Sequence, residues 1–278
     1  MRTMESPSVI VSPAMAVPGR HYRRLVEEFA RHGWRADVVP RRGMEPDASP
    51  ASRALDWGYT DEAGDLAAAI AEIRLVEPST PVLVVGHSLG AQLAAMLTDG
   101  PAESRPDGVV SVAGSVPWFR LYSRDALPVL AVALLVGPVT AVVGHWPAAG
   151  FGGPGPRTLM REWARMVRRG RAPFATHAGA DVPLLAVRLA GDRLVTAPAA
   201  ELYESRFLPR RRTIWNYTAD DVPEGGSLDH VRWVKTPAAV ADRVVQWWAG
   251  QCAESGSGPA VASGSGSGEE FGTAASSM

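Results

Sequence analysis

One stretch constrains this chain more than any other. Pro81-Val-Leu-Val-Val85 is apolar on both faces, as a central parallel strand must be, and runs straight into Gly86-His87-Ser88-Leu89-Gly90. The small, helix-prone residues Ala91 to Leu97 follow at once. A strand that turns into a helix within five residues needs glycines on either side of the turn, so that strand and helix can pass closely. Glycines at 86 and 90 meet that need and leave the Ser88 hydroxyl exposed at the strand end. A chain with 28 glycines can match this spacing by chance, but the flanking strand and helix make it a nucleophile elbow.

The rest of the pattern alternates strand and helix. Val9-Ile10-Val11, Trp34 to Val39, Val109 to Val112, Leu184 to Leu189 and Thr213 to Tyr217 read as strands. Tyr22 to His32, a helix capped at Thr60 and ended by Pro78, and a closing helix over Ala238 to Trp248 lie between and after them. This alternation predicts an α/β fold with a mostly parallel, doubly wound sheet. Arg41 to Trp57 reads as a surface loop. Between Ser115 and Ala180 the alternation gives way to an apolar insertion rich in tryptophan and glycine. Within it, Ala126 to Gly144 is apolar apart from Thr140, about the length of a bilayer helix. Pro128, Gly137 and Pro138 argue instead for a buried or hinged helical pair, so no stable membrane insertion is expected. The expected domain spans 1–253, and the Gly/Ser-rich segment 254–278 is expected to be a flexible tail.

Charge and cysteine content narrow the function. Lys+Arg 28 against Asp+Glu 29 leaves no basic surplus for displacing counterions from a nucleic acid. A single cysteine, Cys252, excludes an internal disulfide framework. No His or Cys pair has metal-ligand spacing, so no metal site is expected. Met1 to Pro7 lacks the pattern of a secretory signal, and a cytoplasmic location is the expectation.

A serine hydroxyl becomes a nucleophile only when a base takes its proton and a carboxylate orients that base. With an elbow of this kind the chain order is nucleophile, acid, histidine. Of the six histidines, His21, His32 and His87 come too early and His145 and His177 lie in the insertion, which leaves His230. For the acid, Leu184 to Leu189 ends at Ala190-Gly191-Asp192, placing Asp192 at the carboxyl edge of the sheet. Asp181 falls at the wrong end of that strand, Asp220 and Asp221 are runners-up, and Asp229 reads as a solvated loop charge. The backbone N–H groups of Leu89 and of Met15, with Ala16 as the fallback, are the expected oxyanion donors. Trp118, Trp146 and Phe151 are candidate pocket walls, with Phe119 and Trp163 nearby.

These residues resemble those of the α/β-hydrolases, and more narrowly a bacterial branch near the serine aminopeptidase-like and lysophospholipase-like group. The likeness runs from about Ser8 to Gly250 and is carried by Ala14 to Pro18 with Tyr22, Arg42-Gly43 and Gly86 to Gly90. His145-Trp146-Pro147, Gly150-Phe151-Gly152, Glu162 to Arg165, Ala190 to Asp192 and His230 complete it. The chain departs from the pattern at Ala91 and Asp229, where glycines are expected, and at Val231-Arg232-Trp233, where an aromatic pair is expected. The resemblance implies an α/β-hydrolase fold with a helical cap formed by the insertion, and acyl chemistry without a cofactor. The expected function is hydrolysis of a carboxylic ester or thioester of a hydrophobic small molecule. Acyl transfer or cyclisation from the same acyl-enzyme, and a non-catalytic ligand-binding role, are the alternatives.

Overall fold

The computed structural model describes residues 6–122, 126–148 and 153–256. In chain order the elements are β1 (Ser8–Ser12), α1 (Arg23–Arg31), β2 (Arg35–Val38), α2 (Tyr59–Val76), β3 (Val82–His87) and α3 (Leu89–Leu97). Then come β4 (Gly108–Val112), α4 (Ala126–Val143), β5 (His145–Trp146), β6 (Gly155–Pro156) and α5 (Arg157–Arg169). The chain closes with β7 (Leu184–Leu189), α6 (Ala197–Glu204), β8 (Arg212–Tyr217) and α7 (Ala238–Gly256). Six strands form one sheet in the order β2-β1-β3-β4-β7-β8, every pair parallel. The strands β5 and β6 form a separate antiparallel pair within the insertion.

The apolar strands are buried on both faces because each face carries helices. Successive side chains point to opposite sides of a strand, so Val9 and Val11 join one core cluster and Ile10 the other. On one side α1 and α7 supply Leu25, Phe29, Val244 and Trp247. On the other, α2 and α3 supply Leu66, Ile70, Leu93 and Ala94, together with Leu159 and Met160 of α5. Each of the larger aliphatic and aromatic side chains contributes roughly 1.5–3 kcal/mol by leaving water. The edge strand β2 exposes Arg35 and Asp37, charges that discourage pairing with another sheet.

Three local expectations change. The helix α2 starts at Tyr59, before Thr60, because one carboxylate of its own first turn and one from α5 satisfy its first donors. Asp61 Oδ2 accepts the Gly58 N–H at 2.8 Å, and Glu162 Oε2 of α5 accepts the Tyr59 N–H at 2.8 Å. The apolar run at 126–143 is one continuous helix with Pro138 inside it, neither a hinged pair nor a buried one. Only Ala133, Val136 and Thr140 of α4 are fully covered. Finally, α7 continues past Trp248 to Gly256, into the segment expected to be a tail; residues 257–278 lie outside the described residues.

The loop 41–57 is more than a surface excursion. Arg41 is buried, forms an ion pair with the buried Glu62 of α2, and donates to the Pro13 carbonyl. Glu62 also accepts the Trp57 indole N–H at 3.0 Å. Burial lowers the Arg41 guanidinium to about 10, which leaves it charged at neutral pH. Truncating one partner of such a pair strands the other charge in the core. Arg41→Met should therefore lower unfolding stability by roughly 3–5 kcal/mol in urea titrations, whereas Arg41→Met with Glu62→Leu should recover most of that loss.

Candidate active site

The site is built around Ser88, which belongs to strand and helix at once. Its N–H extends the sheet by donating to Val112 of β4 at 2.9 Å. Its carbonyl opens α3 by accepting the N–H groups of Ala91 and Gln92 at 3.1 and 3.3 Å. Joining the two directions forces φ 51 and ψ −108, a left-handed backbone that a non-glycine residue adopts at a cost of about 1–3 kcal/mol. The flanking glycines are sterically required. A Cβ on Gly86 would sit 2.5 Å from the Ala91 amide nitrogen, and one on Gly90 would overlap the Ser12 carbonyl at the end of β1. The departure at Ala91 is accommodated because its methyl faces Gly114.

His230 follows β8 in the loop before α7 and is almost fully buried. Its Nδ1 donates to Asp192 Oδ2 at 2.6 Å, and the Asp192 side chain is 2% exposed. The other carboxylate oxygen accepts the Leu194 and Val195 N–H groups at 2.7 and 3.2 Å, so the acid cannot rotate away. The other candidates are engaged elsewhere: Asp221 caps its own turn at Thr218, and Asp181 pairs with Arg210 and Arg211 at the surface. Asp229, where a glycine was expected, accepts the N–H groups of Val231 and Arg232 at 3.1 Å each. That cap fixes the loop carrying His230, so the departures at 229 and 231–233 leave the histidine beside its acid.

Ser88, Leu89, Met15, Ala16 and His230 all line one cavity of about 950 Å³. Leu89 is the first residue of α3, so its N–H has no partner within the helix and lies at the positive end of the helix dipole. Met15 lies in a turn closed by Val17 N–H donating to Ala14 O at 3.2 Å, with Ala16 at φ 59. The expected wall is not the one that forms. Trp118 lies outside the cavity lining, its ring packed where Gly170 leaves room at the end of α5. Trp146 is likewise off the wall, since the β5-β6 pairing turns it toward the core and Gly155. Phe151 lies outside the described residues. The insertion instead presents Pro128, Val129, Val132 and Trp163. Arg20, His21 and Gln92 add polar groups that spacing did not single out.

A second buried histidine, His87, lies beside this site. His87 Nε2–H donates to the His230 carbonyl at 2.8 Å, because a carbonyl can only accept. Its Nδ1 therefore accepts from the Tyr22 hydroxyl at 2.7 Å, and that hydroxyl accepts the Ala14 N–H at 2.9 Å. This chain ties the turn containing Met15 to the backbone of His230, and the Trp233 ring closes it edge-on at 5.4 Å. The signal for it was only the tyrosine and the histidine beside Ser88, with nothing in their spacing to join them.

Burial holds the His87 pKa well below the usual 6.5, so the folded protein keeps it neutral where an unfolded chain would protonate it. The unfolded state then binds more protons below pH 6.5, and stability falls on acidification. Each pH unit below that point should cost up to about 1.4 kcal/mol from this group. His87→Gln, which does not titrate, should show a shallower loss of stability between pH 7 and 5; equal slopes for the two proteins would refute the assignment.

The sequence matches the model of the Alpha/beta hydrolase family over residues 13–251. No curated protein matches it. Among solved structures, it is similar to one described for LipS and LipT, two metagenome-derived lipolytic enzymes, at 18% identity and a TM-score of 0.59, covering 87% of this chain and 94% of that one. The pyrethroid hydrolase PytH aligns at 13% identity and a TM-score of 0.58, covering 89% of this chain and 99% of that one. The thioesterase domain of the curacin biosynthetic pathway aligns at 15% identity and 0.53, covering 87% and 91%. Likenesses at this identity speak for the fold, and the family model speaks for the chain: a parallel sheet turned at a G-x-S-x-G elbow, matched over nearly its whole length, belongs to the α/β-hydrolase family.

Proposed function

We propose that this protein is a serine hydrolase that cleaves a carboxylic ester or thioester of a hydrophobic small molecule. The observation that carries the reading is the shared cavity: Ser88 at the start of α3 and His230, held by Asp192 at 2.6 Å, face the same space. In the proposed mechanism His230 Nε2 takes the Ser88 proton as Oγ attacks the substrate carbonyl carbon. The carbonyl oxygen becomes an oxyanion that accepts from the Leu89 and Met15 N–H groups. The carbonyl re-forms, the bond to the leaving alcohol or thiol breaks, and the imidazolium returns its proton to that group. Water, deprotonated by His230, then attacks the acyl carbon; the acyl–Oγ bond breaks, the acid is released, and the imidazolium returns its proton to Ser88 Oγ. Asp192 keeps the proton on Nδ1, so that Nε2 is the accepting nitrogen.

The wall favours an apolar acyl group. Val129, Val132, Pro128 and Trp163 of the insertion, which acts as a cap in this reading, line the same cavity as the serine. Its volume suits a drug-sized molecule more than a macromolecular chain. The lipolytic, thioesterase and pyrethroid-hydrolysing neighbours support acyl chemistry as a class.

A fluorophosphonate probe should label the wild type and fail on Ser88→Ala and His230→Ala. With p-nitrophenyl esters, Asp192→Asn should lower kcat by roughly 10³–10⁴ with little change in KM, because the imidazole then holds the wrong tautomer. A folded wild type that resists the probe would withdraw the hydrolase reading. Transfer to an added alcohol or amine in preference to water would turn it toward an acyltransferase.

A further inference from the structure

The helix α4 presents a problem that the hydrolase reading does not solve. It carries no charged residue over its 18 residues, and its inner face already has a use. Val129, Ala133, Val136 and Thr140, spaced at helical intervals, turn toward the protein. Leu127, Ala131, Leu134, Leu135, Pro138 and Val142 form the opposite stripe, spaced along a single face, and that stripe is exposed. Leu127 and Val142 retain 74% and 75% of their accessible surface, and Leu134 and Leu135 more than half. A helix apolar on all sides is normally covered on all sides.

The surroundings of the stripe are basic. Arg53 donates to the Val142 carbonyl, and Arg161 Nε donates to Thr140 Oγ1 at 2.9 Å, so two arginines are fastened to the C-terminal half of α4. The adjoining α5 continues that row with exposed Arg165, Arg168 and Arg169 at helical spacing from Arg161. The carboxylate within the row, Glu162, is turned inward to the Tyr59 N–H. In a chain whose net charge is −1, this is a local concentration of positive charge beside an apolar ridge. At the other end, Pro128, Val129 and Val132 line the cavity that holds Ser88, beside the exposed Leu194.

We infer that α4 is a docking ridge for an anionic lipid surface, lying flat in the headgroup boundary with Leu127, Leu134 and Val142 inserted and the arginines of α5 on the phosphates. An apolar helix face flanked by arginines matches both components of such a surface, the acyl layer and its negative charge. The helix lies on the membrane and does not cross it, because its other face is packed against the body and hydrogen-bonded through Thr140 to Arg161. Docked this way, the cavity mouth beside Pro128 and Leu194 adjoins the lipid.

The test is co-sedimentation of the full chain with phosphatidylcholine vesicles, with and without phosphatidylglycerol, at low and high salt. Binding to the phosphatidylglycerol vesicles, weakened by salt and absent from pure phosphatidylcholine, is the expected result. Leu127→Glu with Leu134→Glu should abolish it, and Arg165→Gln with Arg168→Gln should weaken it roughly tenfold or more. These positions are exposed, so thermal melting should match the wild type, and fluorophosphonate labelling in buffer should be unchanged in both variants. Failure of the wild type to bind, or undiminished binding by the leucine variant, would overturn the inference. So would a dimer in solution that the leucine variant dissolves without any vesicle binding, since a second copy would then be the cover. Labelling that fails while vesicle binding follows the expected pattern would remove the hydrolase reading and leave the docking ridge standing.

Discussion

The crossing of α3 over the end of the sheet is the constraint on which the site depends. Ser88 spends its N–H on β4 and its carbonyl on α3, and this double duty is possible only at a left-handed backbone. The strain is held by packing that admits no side chain at 86 or 90. Gly90 lets α3 settle on the last carbonyl of β1, which brings the turn containing Met15 beside the start of the helix. One close contact thus sets the serine, the helix dipole and the facing turn in a fixed relation, before any histidine is considered.

Buried polar links carry that relation outward. Arg41 reaches from the loop after β2 to the Pro13 carbonyl and is neutralised by Glu62 of α2. Tyr22, His87 and the carbonyl of His230 form a second link on the other side of the turn. Such groups are costly to bury and are tolerated only when each has its partner. Here the cost is offset by definition: the turn and the histidine loop, far apart in sequence, are each held by directional bonds where apolar packing alone would allow sliding.

The insertion solves a different problem. Its α5 packs into the core through Leu159, Met160 and Val167 and caps α2 through Glu162, so it is fastened to the body. Its α4 has one face on the cavity and the other uncovered. A composition this apolar reads in sequence as core, which is why Ala126 to Gly144 was expected to be buried. Periodicity cannot separate a helix covered by protein from one covered by something else, because both are apolar on every side.

What the sequence determined by itself were the features governed by local rules. Alternating strands and helices, the two glycines around Ser88, and the strand ending at Asp192 each follow from short-range sterics and hydrophobic periodicity, and the sheet they describe is the one that forms. Chain order singled out His230, and the structure sets its ring against Asp192. The tertiary structure alone decided which groups meet across long separations. Trp118 and Trp146 are as aromatic as Trp163, yet only Trp163 faces the cavity, because strand pairing and helix packing orient each ring. Tyr22 and His87 are 65 positions apart, and Arg41 serves a carbonyl 28 positions away. No local propensity encodes such contacts: they arise where independently formed elements are brought together, and their energy depends on burial that exists only once the sheet and its helices have packed.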